Sequence, residues 1–420
     1  MAYNNFKTEI IKDLVDNIKN EIQKQKLKKF EEDTNPKKDI KKNDKKSKKN
    51  SKTKKKTTNK KNSKNKIAKE TKKKNIKKSE KKLSLTKKIL IITSLVFVTL
   101  TGGGLFLLYG PWSYFRELLI TTAMTTLHHQ YLATWFYDDE TIKEVLEKNK
   151  VVNSNDVSDL NQITIKKFNK NFKNYANKYE EQILKKNNDS DQYKLIEVNG
   201  ATYKGYLVAA YDPSKIEIVH SKYLGNQGQL ITTMAKDNDA LVAINGGGFY
   251  DPDWKSQGGI PSGLTINNGE VLYDFKSGGA GELIGFTKDN KLLLGYMTVE
   301  QARKNNIEDA IEFGPYLIIN GRRTTIYGNG GWGYGPRTVI GQRKDGIVLM
   351  LVIDGRRAHS IGASIKDIQD IMVNYGAYNA ANLDGGSSST LVIENKVINN
   401  PVASTPSGMR NIPNAIILKK

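Results

Sequence analysis

Apolar residues are distributed unevenly along this chain, and their pattern divides it into parts of very different character. The longest uncharged run, ILIITSLVFVTLTGGGLFLLY at 89–109, has 21 residues. A helix of that length covers about 30 Å, which is the thickness of the hydrocarbon core of a bilayer. We therefore predict one transmembrane helix at 89–109.

The flanks of this apolar run indicate its orientation. Four lysines lie in 81–88, directly before it, and basic flanks stay in the cytoplasm. A cleaved signal peptide is the competing interpretation, but it has a short basic region and a small-residue cleavage site. Here 88 residues precede the run, and no A-x-A pattern follows it. The sequence predicts a single-pass protein of the cell membrane with a cytoplasmic N-terminus and an extracytoplasmic C-terminal domain.

Residues 1–88 form a Lys-rich, largely disordered cytoplasmic tail in this interpretation. They hold 33 Lys and 11 acidic residues, and so carry +22 of the chain's net charge of +23. Apolar spacing in 1–35 is typical of an amphipathic helix, either a marginal helix or one that binds a membrane or a partner. Residues 35–82 contain too few apolar side chains to form a buried core, so we predict that they are disordered. A nucleic-acid surface would place its charge on a folded face or among aromatics, so we predict no nucleic-acid partner.

Two further parts follow the apolar run. Apolar residues at helical spacing predict a helical juxtamembrane stalk over 110–192. From about Tyr193, short runs such as LVAINGG and GIVLMLVID alternate with Gly-rich turns, which is typical of sheet. One helix is predicted at 365–375, where isoleucines share a face and Gly376 stands where a helix would stop. The predicted fold class is α+β: a sheet-dominated mixed domain over 193–420 with a packing helix, preceded by the stalk and one transmembrane helix.

The composition excludes several kinds of chemistry. Cysteine is absent, which excludes thiol catalysis, Cys-based zinc sites and disulfides. Only four His are present, and a Ser–His–Asp triad would need His220 or His359, which we do not favour. The segment GNGGWGYG at 328–335 lacks the G-K-[ST] ending of a P-loop. A nucleotide site of that kind is therefore not predicted.

Four Gly-rich segments place polar residues directly after apolar strands. They are AINGGGFYD at 243–251, YGPRTVIGQ at 334–342, VIDGRR at 352–357 and ANLDGGSSST at 381–390. Glycine at a strand end lets the backbone approach a ligand closely, and consecutive N–H groups in such turns can form an anion-binding nest. Asp354 and Asp384 each end an apolar run, so each could project a carboxylate from the rim of a sheet.

Each of these features also has a plainer interpretation. An Asp-Gly pair at a strand end is most often a turn. Arg337 could be a structural ion-pair partner, although Arg is also the side chain best shaped for bidentate phosphate contact. Trp332 and Tyr334 beside it indicate either a sugar platform or an ordered loop. From spacing alone, both interpretations stay open.

Taken together, the segments resemble the phosphodiester glycosidase family. The resemblance covers about Tyr193 to the end of the sequence, with NGGGFYD, YGPRTVIGQ, VIDGRR, NLDGGSSST and RNIPNAIIL in the family's order. Bacterial relatives are often labelled exopolysaccharide-biosynthesis proteins. Two departures are visible: Ser387 stands where the family usually has a third Gly after Asp384, and the turn at Asn245 carries an extra Gly. Neither departure removes an ionisable group.

The resemblance implies hydrolysis of a glycosyl-1-phosphodiester at the sugar C1–O bond, in cell-envelope or exopolysaccharide metabolism. It implies Asp384 as nucleophile or water-activating base, Asp354 as the second carboxylate and Arg337 as the cation on the phosphate. Phosphate is a good leaving group, so strong acid catalysis is less necessary than in ordinary glycoside hydrolysis. The expected substrate-binding residues are Asn245, Gly246, Phe249, Gly385, Gly386, Ser388 and Ser389.

The sequence requires no cofactor, and it does not decide whether a metal takes part. A hard cation such as Ca²⁺ could bridge a carboxylate and the phosphate. The expected partner is a glycosyl-1-phosphodiester or an envelope polysaccharide. The competing class is a non-catalytic factor that binds or assembles envelope polysaccharide and keeps the pocket without turnover.

Overall fold

The computed structural model of the protein describes residues 84–126, 129–251, 257–274 and 278–420. The predicted disorder and amphipathic helix of the Lys-rich segment lie outside these residues. Eight α-helices are present in the described part of the chain. They are α1 Leu85–Tyr109, α2 Ser113–Met124, α3 Tyr131–Thr134, α4 Asp139–Lys148, α5 Lys178–Leu184, α6 Ile231–Asp237, α7 Val299–Lys304 and α8 Ile365–Asn374.

Most of the regular secondary structure after α5 is β-structure, and β1 begins at Tyr193, where the β-rich pattern of the sequence begins. The strands are β1 Tyr193–Asn199, β2 Lys204–Ala210, β3 Ile216–His220, β4 Ala240–Asn245, β5 Thr265–Asn267, β6 Glu270–Tyr273, β7 Gly281–Thr287, β8 Leu292–Met297, β9 Ile307–Glu312, β10 Tyr316–Ile319, β11 Arg322–Arg323, β12 Arg337–Arg343, β13 Val348–Ile353, β14 Ala377–Asn382, β15 Leu391–Ile393, β16 Lys396–Val397 and β17 Asn414–Lys419.

These strands form three antiparallel sheets. The seven-stranded sheet has the order β1-β2-β13-β12-β14-β10-β11, and the two five-stranded sheets have the orders β16-β15-β4-β17-β3 and β6-β5-β9-β7-β8. The strands β12 and β13 are buried at every position, because both faces of their sheet are covered. One face packs against residues of the other two sheets, and the opposite face packs against α8. The predicted α+β, sheet-dominated fold class is confirmed.

The packing helix α8 shows how local sequence determines an element. Ser364 caps it by accepting a hydrogen bond from the backbone N–H of Asp367, and the Asp367 side chain accepts in return from the backbone N–H of Ser364. The helix buries Ile365, Ile368 and other apolar residues of one face. Gly376 follows with φ of 76°, a left-handed conformation that glycine adopts without a steric cost. The predicted helix and its stop signal are therefore both present.

The helix α1 is long and apolar enough to cross a membrane by length and composition. It is joined to the residues that follow it by two side-chain hydrogen bonds. The Tyr109 hydroxyl donates to the Phe136 carbonyl at 3.0 Å, and the Tyr137 hydroxyl donates to the Leu108 carbonyl at 2.8 Å. A small apolar cluster beyond these bonds holds α2, α3 and α4 together. The end of α1 is thus fixed to a folded helical segment.

The segment predicted as a helical stalk is only partly helical. Residues 149–177 contain one short 3₁₀ turn and no α-helix, and they extend along the sheet-rich domain. Backbone N–H groups of Val152, Ser158 and Thr164 donate to carbonyls of residues 325, 294 and 344 at 2.8–2.9 Å. Apolar residues of this stretch, including Phe168 and Phe172, pack against the core of the domain, which a helical spacing in the sequence does not reveal.

Candidate active site

Asp384 lies at the end of β14, one of the central strands of the seven-stranded sheet. Its backbone is fixed from the neighbouring sheet: Asn245 Nδ2 donates to the Asp384 carbonyl at 2.7 Å, and the Asp384 N–H donates to the Gly246 carbonyl at 3.1 Å. Its carboxylate accepts the backbone N–H of Gly385 at 2.9 Å. The carboxylate is therefore held at a defined position on the rim of the sheet.

The environment of Asp384 changes its acidity. Burial raises the pKa of the Asp384 carboxyl to about 6, because an ionised carboxylate is poorly solvated there. A hydrogen bond from the Ser388 side chain, the nearby charge of Arg410 and the Gly385 N–H oppose this shift in pKa. A carboxyl with such a pKa is ionised at neutral pH and still able to accept a proton, which suits a nucleophile or a general base.

A cavity of about 390 Å³ opens in front of this carboxylate, and we call it the Asp384 cavity. Six of the predicted site residues line this cavity: Phe249, Arg337, Asp384, Gly385, Gly386 and Ser388. Other residues that line it include Thr122, Thr125, Thr126, Asp251, Trp332, Tyr334, Arg356, Ser387 and Arg410. The Gly-rich segments of the sequence therefore do meet at one site.

Arg337 stands at the start of β12 and is 7% exposed. Its Nε donates to the Ala363 carbonyl at 3.0 Å, and its Nη2 donates to the carbonyls of Trp332 at 2.8 Å and Gly333 at 2.7 Å. Desolvation and the nearby Arg356 lower the pKa of Arg337 to about 10. Nη2 thus holds the Gly-rich loop and Nε holds the segment at Ala363, and Nη1 remains for a ligand.

Two further arginines line the cavity. Arg356 has φ of 54°, and its Nη2 lies 3.4 Å from the position that a Cβ on Gly386 would occupy. Arg410 pairs with Asp251 at 2.5 Å and lies 4.3 Å from the centroid of the Phe249 ring. The sequence motifs contained both arginines, but nothing in their spacing indicated that they would face Asp384.

The backbone N–H groups expected to bind phosphate are already engaged. Gly385 N–H donates to the Asp384 carboxylate at 2.9 Å, Gly386 N–H donates to the Pro336 carbonyl at 2.9 Å, and Ser388 N–H donates to the Gly385 carbonyl at 3.1 Å. These groups stabilise the turn that carries Asp384. An anion in the cavity would instead be recognised by arginine side chains.

Three of the expected substrate contacts lie behind the cavity and do not line it. Asn245 is 1% exposed, and its Oδ1 accepts the Thr338 hydroxyl at 2.7 Å, while a Cβ on Gly246 would lie 2.2 Å from Oδ1 of Asn414. Ser389 is 1% exposed and lies 3.1 Å from the Thr338 hydroxyl. These residues fix the end of β14 and its turn, so they position Asp384.

Asp354 is also absent from the cavity lining. It is 2% exposed, and its carboxylate accepts the Asn400 backbone N–H at 2.8 Å and the side-chain amides of Asn400 at 3.1 Å and Asn399 at 3.2 Å. The His359 ring lies 3.5 Å away. The carboxylate therefore anchors the chain after β16, whereas Asp251 is the second carboxylate that lines the cavity.

Replacing Asp354 by Asn should destabilise the protein. The new amide would face the side-chain amide donors of Asn399 and Asn400, and a buried unsatisfied donor costs about 1–3 kcal/mol. We expect the free energy of unfolding to fall by about 2 kcal/mol, measured by urea denaturation. Asp212→Asn is the matched control, because Asp212 is exposed and its Oδ1 caps a 3₁₀ turn that an Asn oxygen can cap equally. Equal stability of the two variants would contradict this anchoring role.

The helix α2 forms one wall of the cavity, which the predicted stalk did not suggest. Thr122 lies in this helix, and its hydroxyl accepts the Tyr334 backbone N–H at 3.2 Å. The hydroxyl of Thr121 accepts Nδ2 of Asn329 at 2.9 Å. A Cβ on Gly333 would lie 2.4 Å from the Cα of Thr122. The Gly-rich loop at 328–335 therefore serves to pack closely against α2.

The donor set of the cavity favours an anion over a metal cation. The guanidinium groups of Arg337, Arg356 and Arg410 face it with two carboxylates, and Asp251 is already paired with Arg410. A Ca²⁺ site needs six to eight oxygen ligands, several of them carboxylates. In the described part of the chain no group of three His, Cys, Asp or Glu could hold a metal. We therefore assign no step to Ca²⁺.

Residues 238–419 match the model of a family described as phosphodiester glycosidase. The resemblance seen in the ordered motifs is thereby confirmed, and the strands before residue 238 lie outside the match. Among curated proteins, an uncharacterized SPbeta prophage-derived protein of Bacillus subtilis (strain 168) is 30% identical over 201 residues, which are 46% of this chain and 30% of that protein.

A second curated relative carries an enzyme name. N-acetylglucosamine-1-phosphodiester alpha-N-acetylglucosaminidase of Bos taurus is 27% identical over 202 residues, which are 41% of this chain and 34% of that protein. This chain therefore spans about a third of the length of these two relatives.

Solved structures include similar chains. The catalytic domain of the zebrafish N-acetylglucosamine-1-phosphodiester alpha-N-acetylglucosaminidase is 23% identical with a TM-score of 0.45, covering 54% of this chain and 82% of that one. A hypothetical protein from Synechocystis is 16% identical with a TM-score of 0.38, covering 54% of this chain and 61% of that one.

Proposed function

We propose that this protein hydrolyses glycosyl-1-phosphodiesters at the sugar C1–O bond and releases free sugar and a phosphomonoester. The observation that carries the proposal is the Asp384 cavity itself. It brings a carboxylate with a raised pKa together with three guanidinium groups, and among the residues that the structure describes only Arg410 of the three forms an ion pair with a carboxylate. A sugar linked to an anionic phosphate matches this combination.

The arginines and Asp384 have different roles in this reaction. Arg337 Nη1 and Arg356 bind the phosphate oxygens and stabilise the charge that develops as the phosphate leaves. Asp384 acts at C1, either directly or by accepting a proton from the attacking water. A new C1–O bond, to water or to Asp384, forms as the old one breaks, and the electron pair of the broken bond leaves with the phosphate. If the bond is to Asp384, water then attacks C1 and breaks it, which releases the free sugar and returns the carboxylate. Phe249 provides an aromatic face for the sugar ring.

The direct test is an assay of the full-length chain in detergent. It is incubated with methyl phosphodiesters of several hexose-1-phosphates, and the released sugar and phosphomonoester are measured. N-acetylglucosamine is the first glycosyl group to try, because the bovine relative is named as an enzyme that acts on an N-acetylglucosamine-1-phosphodiester. Release of both products supports the proposal. Binding of the diesters without any release would instead favour a non-catalytic envelope-polysaccharide factor.

We also propose that α1 anchors the protein in the cell membrane, with residues 1–88 inside and the catalytic domain outside. Four lysines precede the apolar run and no basic residue follows it directly, which supports this orientation. The substrate would then be a component of the cell envelope, such as an exopolysaccharide or a molecule that carries its precursor.

This topology predicts the result of limited proteolysis. Protease added outside intact protoplasts should release a fragment that begins after Tyr109 and leave the Lys-rich segment intact. Antibodies against the two ends of the chain identify the protected part. Permeabilised protoplasts are the control, because there the 1–88 segment should also be digested. Digestion of that segment in intact protoplasts would show that the orientation is reversed.

A further inference from the structure

Exposed aromatic and apolar side chains are concentrated in the helical segment that follows α1. Six described residues of this segment form a surface that we call the aromatic face: Trp112, Tyr114, Tyr131, Leu132, Trp135 and Phe136. Four of the rings lie in two pairs, with centroid distances of 6.1 Å between Trp112 and Tyr114 and 4.7 Å between Tyr131 and Trp135. Trp135 is 73% exposed. Exposed apolar groups that lie together mark an interaction surface.

Both ring pairs lie close to the end of α1. Trp112 follows Tyr109, the last residue of α1, by three positions. The second pair is brought back to the same place by two hydrogen bonds, from the Tyr109 hydroxyl to the Phe136 carbonyl at 3.0 Å and from the Tyr137 hydroxyl to the Leu108 carbonyl at 2.8 Å. The rings of Tyr109 and Tyr137 also meet edge to face at 6.0 Å. The aromatic face is therefore continuous with the end of the apolar helix.

The sequence around the aromatic face carries no formal charge. Residues 118–137 contain no Asp, Glu, Lys or Arg, and acidic residues return only at 138–140. Moving a charged side chain out of water is costly. A surface without such side chains can approach lipid headgroups and the ends of acyl chains without this cost.

Tryptophan and tyrosine are enriched at the two interfaces between a membrane and water, because one end of each side chain is apolar and the other is polar. If α1 crosses the bilayer, its last residue Tyr109 lies at such an interface. We propose that the aromatic face lies in the headgroup region of the same bilayer and that Trp112 and Trp135 bind it there. This inference rests on the proposed anchoring of the protein by α1. The segment predicted as a stalk then holds the domain against the membrane.

The aromatic face is connected to the Asp384 cavity through α2. Thr122 lines the cavity and comes nine residues after Ser113, the first residue of α2, which is a rise of about 14 Å along the helix. Thr125 and Thr126 line the cavity as well. These threonines lie in the chain between the two ring pairs. Binding of the aromatic face to the bilayer therefore fixes one wall of the cavity relative to the membrane surface.

A protein partner, or a second copy of this chain, fits the aromatic face less well than the bilayer does. Protein interfaces have a polar rim that contributes hydrogen bonds and charged groups, and residues 118–137 offer no Asp, Glu, Lys or Arg to such a rim. The end of an apolar helix of membrane-spanning length is also the position at which a bilayer is adjacent without any further partner.

The test uses the absence of cysteine from the chain, which allows a single label to be attached. Thr134→Cys places a nitrobenzoxadiazole label beside Trp135 at an exposed position of α3. Lys304→Cys is the matched control, because Lys304 is exposed in α7 near Glu300 and Arg303, a charged surface that a bilayer does not take up. The full-length variants are reconstituted in vesicles of phosphatidylcholine and phosphatidylglycerol, with and without a lipid that carries a nitroxide on its headgroup.

An interfacial apolar face is buried roughly 5–10 Å in the headgroup region, so the nitroxide lipid should quench at least about half of the emission of the Thr134 label. The emission of the Lys304 label should stay nearly unchanged. Equal quenching of the two labels would overturn the inference. A Thr134 label that is shielded from water but not quenched by the lipid would also overturn it and would indicate a protein partner or a second copy. Failure of the protein to float with the vesicles would contradict the anchoring by α1 instead.

A double substitution tests the role of the two tryptophans. Trp112→Ser together with Trp135→Ser, in the chain labelled at position 134, should reduce the quenching at least about twofold, because the aromatic anchors are lost. Both side chains are exposed, and serine is a favourable residue at the N-cap of α2 that Trp112 occupies. Tyr223→Ser is the matched control, because Tyr223 is an exposed aromatic residue outside the aromatic face, and it should keep the wild-type quenching. Unchanged quenching in the folded double variant would contradict the role of the tryptophans. If that variant does not fold, the comparison of the two labels still decides.

Discussion

Replacement of Asp384 by Asn should lower kcat at least about 100-fold, which is the lower range for general acid–base groups. Asn has nearly the same shape as Asp and its oxygen can still accept the Gly385 N–H, but it can neither attack C1 nor accept a proton from water. Binding of a diester should persist, because the arginines that recognise the phosphate are unchanged. Steady-state kinetics and equilibrium binding on the same preparation measure the two effects separately.

The pH dependence provides an independent check of the same residue. The protonated carboxyl is inactive, so wild-type kcat/KM should fall as the pH falls below about 6, the pKa to which burial raises Asp384. Because the folded-state pKa lies above the unfolded one, the stability that this group contributes at low pH is lost as the pH rises through about 6. Asp384→Asn should therefore melt at or above the wild-type temperature at pH 7. A lower melting temperature, with activity lost only in proportion, would make Asp384 structural, the pattern expected for Asp354→Asn.

Arg337→Lys should reduce kcat/KM by roughly 30–150-fold, equivalent to about 2–3 kcal/mol of transition-state stabilisation. The guanidinium holds three backbone carbonyls through Nε and Nη2 and still offers Nη1 to the cavity. A lysine ammonium has three donors and no planar fork, so it cannot satisfy the carbonyls and bind a phosphate at once. Inhibition by inorganic phosphate should weaken in parallel.

The control for this prediction is Arg303→Lys, because Arg303 is an exposed residue in the last turn of α7. It should show wild-type kinetics and a wild-type melting temperature. If Arg337→Lys folds and also shows wild-type kcat/KM, then Arg337 does not act on the phosphate. If it loses stability but its folded fraction keeps full activity, then the residue serves only to hold the Gly-rich loop.

Elements with strong local signals could be predicted from the sequence. The helix α8 has its apolar face, its capping serine and its stop glycine within a dozen residues, and β13 is a continuous apolar run. In contrast, Asp354 and Asp384 look alike in sequence, since each ends an apolar strand before a glycine. Their difference comes from distant partners. The amides of Asn399 and Asn400 surround Asp354, whereas a cavity opens before Asp384.

The parts of the site that were not predicted depend on long-range packing. Arg356 lines the cavity from a turn in which its own backbone is left-handed and its N–H donates to the Ile361 carbonyl. Thr122 joins the lining because Gly333, which packs against it, has no side chain to keep α2 away. Residues 149–177 have apolar side chains at intervals that also suit a helix. Their extended path becomes visible only when the surface they cover is known.

The position of β17 has a consequence for the biosynthesis of this protein. That strand pairs with both β3 and β4. The side-chain oxygen of Asn414, at the start of the strand, accepts the backbone N–H of Gly247 and so holds the turn that begins at Gly246. While the ribosome is still translating the codons for residues 410–419, β3 and β4 have no common neighbour and Arg410 is missing from the cavity. This five-stranded sheet and the lining of the Asp384 cavity are therefore completed only after residues 410–419 have been made, when this late segment is inserted between two strands made long before it.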